Sequence, residues 1–157
     1  MDFHQPRLAV LANTEADMIA FETIPSFIEA QALANLLIEF PTRTAWLSFS
    51  VRDANYISDG NLLSEIIKWL DDFAQIVAVG VNCTRSNYIS DVIKIIRQVT
   101  CKPIVVYPNA GEQYSMSEKR WVGKAEHDRF GHLTQQWFHD GAQIIGGCSL
   151  LIPSPNP

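Results

Sequence analysis

The chain has 157 residues, 47% of them apolar and 18% charged, with a formal net charge of −5. That apolar content supports one domain over 1–157 with a real core, and it argues against disorder. The acidic balance, without any run of Lys or Arg, removes the electrostatic basis for holding a nucleic acid.

Met1 to Pro6 are polar and lack the apolar centre of a signal peptide, and no apolar run is long enough to cross a bilayer. Three cysteines, Cys83, Cys101 and Cys148, are odd in number and unevenly spaced, which is no disulfide framework. Free thiols suit a reducing compartment, so a cytoplasmic protein without a membrane partner is expected.

In chain order, residues 3–13 read as a helix packed ahead of the first strand. Residues 18–22 (MIAFE) form a short apolar run ending in a carboxylate, which Thr23-Ile24-Pro25-Ser26 then breaks. Ser26 and Glu29 read as a capping box. The helix behind it runs to about Glu39, with Phe27, Ala30, Leu33, Ala34 and Leu37 at helical spacing, and Pro41 stops it. A second strand, 45–51, alternates Trp46, Ser48, Ser50 against Leu47, Phe49, Val51. A polar loop and a helix over about 62–73 follow. The third strand, 76–81, is almost continuously apolar, as a strand covered on both faces should be. Asn82-Cys83, a helix over about 87–99, and a fourth strand over 103–107 come next. After a long loop, a helix over about 126–140 leads through Gly141 to a fifth strand at 143–145.

Strands alternating this regularly with helices predict a parallel sheet with right-handed crossovers. Five such units make either an open, doubly wound sheet or part of a closed barrel, and periodicity does not choose between them.

The candidate functional residues share one location. Glu22, Asn82-Cys83, Asn109 with Glu112, and Cys148 all follow predicted strands, and parallel α/β folds gather their sites at the carboxyl ends of strands. Cys83 and Cys148, 65 residues apart, become possible neighbours there. Two thiols facing each other suggest a soft tetrahedral metal, zinc first, which would activate a substrate thiol. Packing is the competing reading, since lone buried cysteines are common. Cys101 precedes its strand and belongs at the other end of the sheet, about 15–20 Å away by strand rise. Glu22 reads equally as a partner for a substrate ammonium or as a carboxylate favoured near a helix N-terminus. Glu112 reads as a solvated carboxylate. His4, His127, His132 and His139 lack the spacing of a helical zinc site. Gly146-Gly147 opens no helix, so it reads as a place where backbone passes close to a ligand.

The segments Phe21-Glu22-Thr23-Ile24-Pro25, Gly80-Val81-Asn82-Cys83, Tyr107-Pro108-Asn109-Ala110-Gly111-Glu112 and Gly146-Gly147-Cys148 occur in the order seen in homocysteine S-methyltransferases. The chain resembles the branch of that family using S-methylmethionine or S-adenosylmethionine. The resemblance implies a (β/α)8 TIM barrel, here a partial one of about five parallel strands with flanking helices. It implies that Cys83 and Cys148 are zinc ligands, that Glu22 and Asn82 lie at the substrate, and that zinc-bound homocysteine thiolate takes a methyl group from a sulfonium donor to give methionine. It implies no cofactor beyond zinc.

Two departures qualify that expectation. Ser149 stands where the family has a third cysteine, and a serine hydroxyl stays protonated at neutral pH, so zinc is expected to be weakened or lost. A barrel of this kind usually takes about 250 residues. The resulting expectation is a truncated or degenerate relative with impaired activity, an apolar inner face, and open strand edges that favour self-association. The alternatives are a non-catalytic binding or assembly module and an unrelated doubly wound domain.

Overall fold

The computed structural model describes residues 2–109, 113–115, 117–122 and 127–148. Helix α1 (Gln5–Ala12), with Pro6 in its first turn, precedes strand β1 (Ile19–Ile24). Then come α2 (Phe27–Leu37), β2 (Ala45–Phe49), α3 (Leu63–Leu70), β3 (Ile76–Asn82), α4 (Ile89–Arg97) and β4 (Ile104–Tyr107). A hairpin of β5 (Gln113–Ser115) and β6 (Arg120–Val122) is followed by α5 (His127–Asp140) and β7 (Ile144–Ile145).

Five strands form one sheet in the order β1-β2-β3-β4-β7, and every pairing is parallel. The order rises without reversal. A doubly wound sheet reverses its strand order at a switch point, so this arrangement excludes it. It is the winding of a barrel segment, in which right-handed crossovers keep every helix on one side.

The sheet has two different faces. Leu47, Phe49, Val79, Val81, Ile104 and Val106 alternate along their strands and join the core under the helices. Trp137 of α5 closes that core, fully buried, with Phe130 stacked edge-on at 5.4 Å. The opposite, inner face carries Ala20, Trp46 and Ala78 in one register row, then Ser48, Gly80 and Val105, then Asn82 and Tyr107. The expected apolar inner face holds over Ala20, Trp46, Ala78 and Val105, and gives way to Ser48, Asn82 and Tyr107 toward the carboxyl ends of the strands.

Three local expectations also change. Thr23 and Ile24 lie within β1 instead of breaking it, although Thr23 itself adopts left-handed backbone with φ of 59° and the register slips between Phe21 and Ile24. The second strand ends at Phe49, and Val51 makes an isolated bridge to Ile57. The loop expected after the fourth strand contains the β5–β6 hairpin. Ser26 does cap α2, its Oγ accepting from the Glu29 N–H at 3.3 Å.

At the amino ends of the strands, the loops leading into β1, β2 and β3 are each held by a side chain from the next helix-to-strand loop. Arg43 donates to the carbonyls of Ala12, Thr14 and Ala16 at 2.7, 2.7 and 3.1 Å. Gln75 Nε2 donates to those of Leu37, Phe40 and Arg43 at 3.1, 2.9 and 2.9 Å. Lys102 Nζ donates to those of Leu70, Phe73 and Ile76 at 2.8, 2.7 and 2.8 Å. Helix C-termini leave carbonyls without intrahelical partners, and these long polar side chains supply them.

Candidate functional site

The site begins with how two strands end. Beyond β3, the Cys83 N–H donates to the Tyr107 carbonyl at 3.2 Å. Beyond β7, the Gly146 N–H donates to Val106 O at 2.9 Å and the Cys148 N–H to Pro108 O at 3.2 Å. Both cysteines thus hang from the carboxyl end of β4 by ladder bonds, and their sulfurs meet 3.3 Å apart. Gly146 passes close to Tyr107, where a Cβ would stand 3.4 Å from the tyrosine Cβ.

Asn82, almost fully buried, organises the ground beneath the sulfurs. Its Oδ1 accepts from the Thr23 N–H at 2.8 Å and lies 2.8 Å from the Ser48 hydroxyl. Its Nδ2 lies 2.6 Å from Thr23 Oγ1 and 3.4 Å from Cys83 Sγ. Thr23 Oγ1 is itself 3.8 Å from that sulfur. Thr23 and Cys83 both adopt left-handed backbone, with φ of 59° and 48°. For a β-branched residue this is a strained conformation, costing roughly 1–3 kcal/mol. The strain sits where the two loops face each other across the sulfur.

The Cys83 thiol is pushed above its ordinary value, first by partial desolvation and then by Cys148, against smaller opposing effects from Thr23 and Asn82. The Tyr107 phenol is pushed well above its ordinary value, first by burial, with the Glu22 carboxylate adding to the effect. Glu22 is exposed beside Tyr107, and it also lines a cleft of about 230 Å³ with His4, Arg7 and Glu29 at the β1 edge.

The structure therefore brings Asn82, Cys83 and Cys148 together, with Glu22 joining the cluster through Tyr107. Asn109 is tied to the loop after β3, its N–H donating to Thr84 O at 2.8 Å. Cys101 is exposed before β4, at the opposite end of the sheet. His4 pairs with Glu29 at 2.9 Å, while His127, His132 and His139 lie along α5. Glu112 and Ser149 fall outside the described residues. Thr23, Ser48 and Tyr107 are the site residues that sequence reading missed. The inward position of Ser48 in an alternating strand was the available signal.

Among the described residues, no group of three or more His, Cys, Asp or Glu side chains is placed to hold a metal ion. The cysteine pair alone supplies two soft donors. Two sulfurs on one tetrahedral zinc, each at about 2.3 Å, stand about 3.8 Å apart. The observed 3.3 Å lies about 0.5 Å inside that spacing.

The sequence profile of the homocysteine S-methyltransferases matches residues 1–154. The homocysteine S-methyltransferase YbgG of Bacillus subtilis is 45% identical over 153 residues, covering 98% of this chain and 49% of that protein. The Escherichia coli homocysteine S-methyltransferase is 39% identical, over 97% of this chain and 49% of its own length. The solved E. coli homocysteine methyltransferase MmuM, in its metallated form, superposes with a TM-score of 0.81 at 35% identity. That match covers 96% of this chain and 46% of the other. The chain spans about half the length of these relatives, so its five-stranded sheet corresponds to about half of their TIM-barrel fold.

Proposed function

Because the chain belongs to the homocysteine S-methyltransferase family, we propose that its cysteine pair is the thiol-activating part of a methyl-transfer site. The substrates are homocysteine and a sulfonium donor, S-methylmethionine or S-adenosylmethionine. An electron pair of the homocysteine sulfur forms the new S–CH3 bond as the donor's C–S+ bond breaks. The products are methionine and a neutral thioether, and the thiol proton leaves to solvent. The observation that carries this reading is the 3.3 Å approach of Cys83 and Cys148 from segments 65 residues apart.

The donor set fits zinc, with Cys83 and Cys148 as thiolate ligands. Bound zinc would lower the pKa of the substrate thiol and make the nucleophile available at neutral pH. Glu22 offers a fixed negative charge for the substrate ammonium, and Asn82 sets the position of Cys83 beside it. Ser149, a poor ligand while protonated, leaves the chain with two thiolates where the family resemblance implies three. Weaker zinc binding and reduced activity follow.

A reducing cytoplasm, which keeps both thiols free, fits this chemistry. Among the described residues, no helix is long and apolar enough to cross a membrane. The outer edges of β1 and β7 also support self-association, which mass measurement in solution would read.

The test is zinc stoichiometry on chain purified under reducing conditions, beside a Cys83→Ala control. About one zinc per chain, lost in the control, supports the site. Zinc no higher than in the control overturns it, and favours a binding module that keeps the scaffold without the chemistry.

A further inference from the structure

Ser48 and Tyr107 have no part in the chemistry proposed above, yet they stand directly behind Asn82. Ser48 is fully buried and Asn82 only 1% exposed. Proton counting fixes the direction of every hydrogen bond between them. The atom of Asn82 facing the Thr23 N–H at 2.8 Å must be the amide oxygen, because only an acceptor satisfies a backbone N–H. The same oxygen lies 2.8 Å from Ser48 Oγ, and it carries no proton, so Ser48 is the donor. Ser48 Oγ is also 2.9 Å from the Tyr107 hydroxyl. A serine has one proton, and this one is spent on Asn82, so Tyr107 donates to Ser48.

The bonds therefore run one way, from Tyr107 O–H to Ser48 Oγ and from Ser48 O–H to Asn82 Oδ1. With the oxygen end saturated, the two Nδ2 hydrogens face Thr23 Oγ1 at 2.6 Å and Cys83 Sγ at 3.4 Å. Turning the amide over would set its NH2 group against the Thr23 N–H, donor against donor. We propose that Tyr107 and Ser48 are positioning residues for the cysteine pair, their one-way hydrogen-bond chain locking the Asn82 amide so that it holds Thr23 and faces the Cys83 sulfur. Polarisation along such a chain strengthens each bond in it.

This inference rests on the proposed function for the importance of Cys83, but its test does not need metal or methyl donor. Amide hydrogen exchange is followed by NMR on the reduced, metal-free chain, in the parent, Tyr107→Phe, Ser48→Ala and the double variant. The expected result is exchange at the Thr23 N–H about tenfold faster in each single variant, the equivalent of one lost hydrogen bond. Leu47 and Val79, in the neighbouring strands, keep their rates. The double variant is no faster than Ser48→Ala, since one chain has been cut twice. Unchanged exchange at Thr23, or equal acceleration through the whole sheet, would overturn the proposal. Failure to bind zinc would count against the proposed function and leave the exchange result to decide this one.

Discussion

Asn82 holds Thr23 at both ends, accepting its backbone N–H at 2.8 Å and meeting its hydroxyl at 2.6 Å. The two residues lie 59 positions apart on strands that are not direct neighbours, with β2 between them. The grip therefore ties β1 to β3 over the top of β2. It also holds Thr23 in left-handed backbone that a threonine seldom adopts. Replacing Asn82 by Ala removes the grip and leaves the buried Ser48 hydroxyl without its acceptor. The expected cost is about 1–3 kcal/mol of stability, the range for an orphaned buried polar group. Urea unfolding of Asn82→Ala beside the parent measures it, and a difference under about 0.5 kcal/mol would contradict the role given to Asn82.

Gly80 lies two residues before Asn82, paired with Val105 of β4. A Cβ on Gly80 would stand 1.7 Å from the Val105 carbonyl oxygen, which is backbone and has no room to yield. Gly80→Ala must part β3 from β4, the two strands whose ends carry Asn82, Cys83 and Tyr107. A loss of more than about 3 kcal/mol is expected, at the upper end for overpacking in a core. A melting temperature within a few degrees of the parent would show that the strands can separate cheaply.

The sequence carried most of the framework because each strand–helix unit declares itself locally. The near-continuous apolar run of β3, the Ser26 cap and the helical spacing of α2 each needed one short window, although the Glu29 carboxylate pairs with His4 and does not close the box. The convergence of Cys83 with Cys148 was also legible, since both follow strands and parallel sheets gather such positions. What was not legible depended on pairs of distant residues. Thr23 looked like a strand terminator because no local signal says that Asn82 will hold it in the strand. Ser48 looked like one polar position in an alternating strand, and only the register of β2, β3 and β4 shows that it lies between Asn82 and Tyr107.

Asp59 makes the stability of α2 depend on pH. Its Oδ2 accepts from the Phe27 N–H at 2.8 Å, at the start of the helix, and its Oδ1 accepts from the Asn61 N–H at 3.0 Å. Burial pushes this carboxyl up, but the Asn61 and Phe27 N–H groups outweigh it and hold it below its ordinary value. A depressed folded value means that the carboxylate's contribution is present above the unfolded value, about 3.9. It is lost as the pH falls through the folded value. At pH 7, Asp59→Ala should cost about 1 kcal/mol, as for a lost helix cap. As the pH falls through the depressed folded value, the difference from the parent should shrink. Urea midpoints over a pH series decide the point, and a difference that stays constant into acid would rule out the carboxylate as its source.

Lys102 closes the opposite end of the sheet from the cysteines. Its ammonium reaches the carbonyls of Leu70, Phe73 and Ile76, which span the end of α3, the loop behind it and the first residue of β3. Burial depresses its pKa, with Asp71 and Asp72 opposing that effect. Lys102→Met keeps the aliphatic stem and removes all three donors, so a change in stability reports on the ammonium and not on packing. The expected loss is about 1–3 kcal/mol, reduced from the sum of three charged bonds because the site is partly open to water. The carbonyls released lie more than one strand length from Cys83, so the variant should bind zinc as the parent does. Reduced stability with unchanged zinc stoichiometry would separate the end of the fold that holds it together from the end that carries the cysteine pair. Equal loss of both would mean that the two ends are coupled through β3.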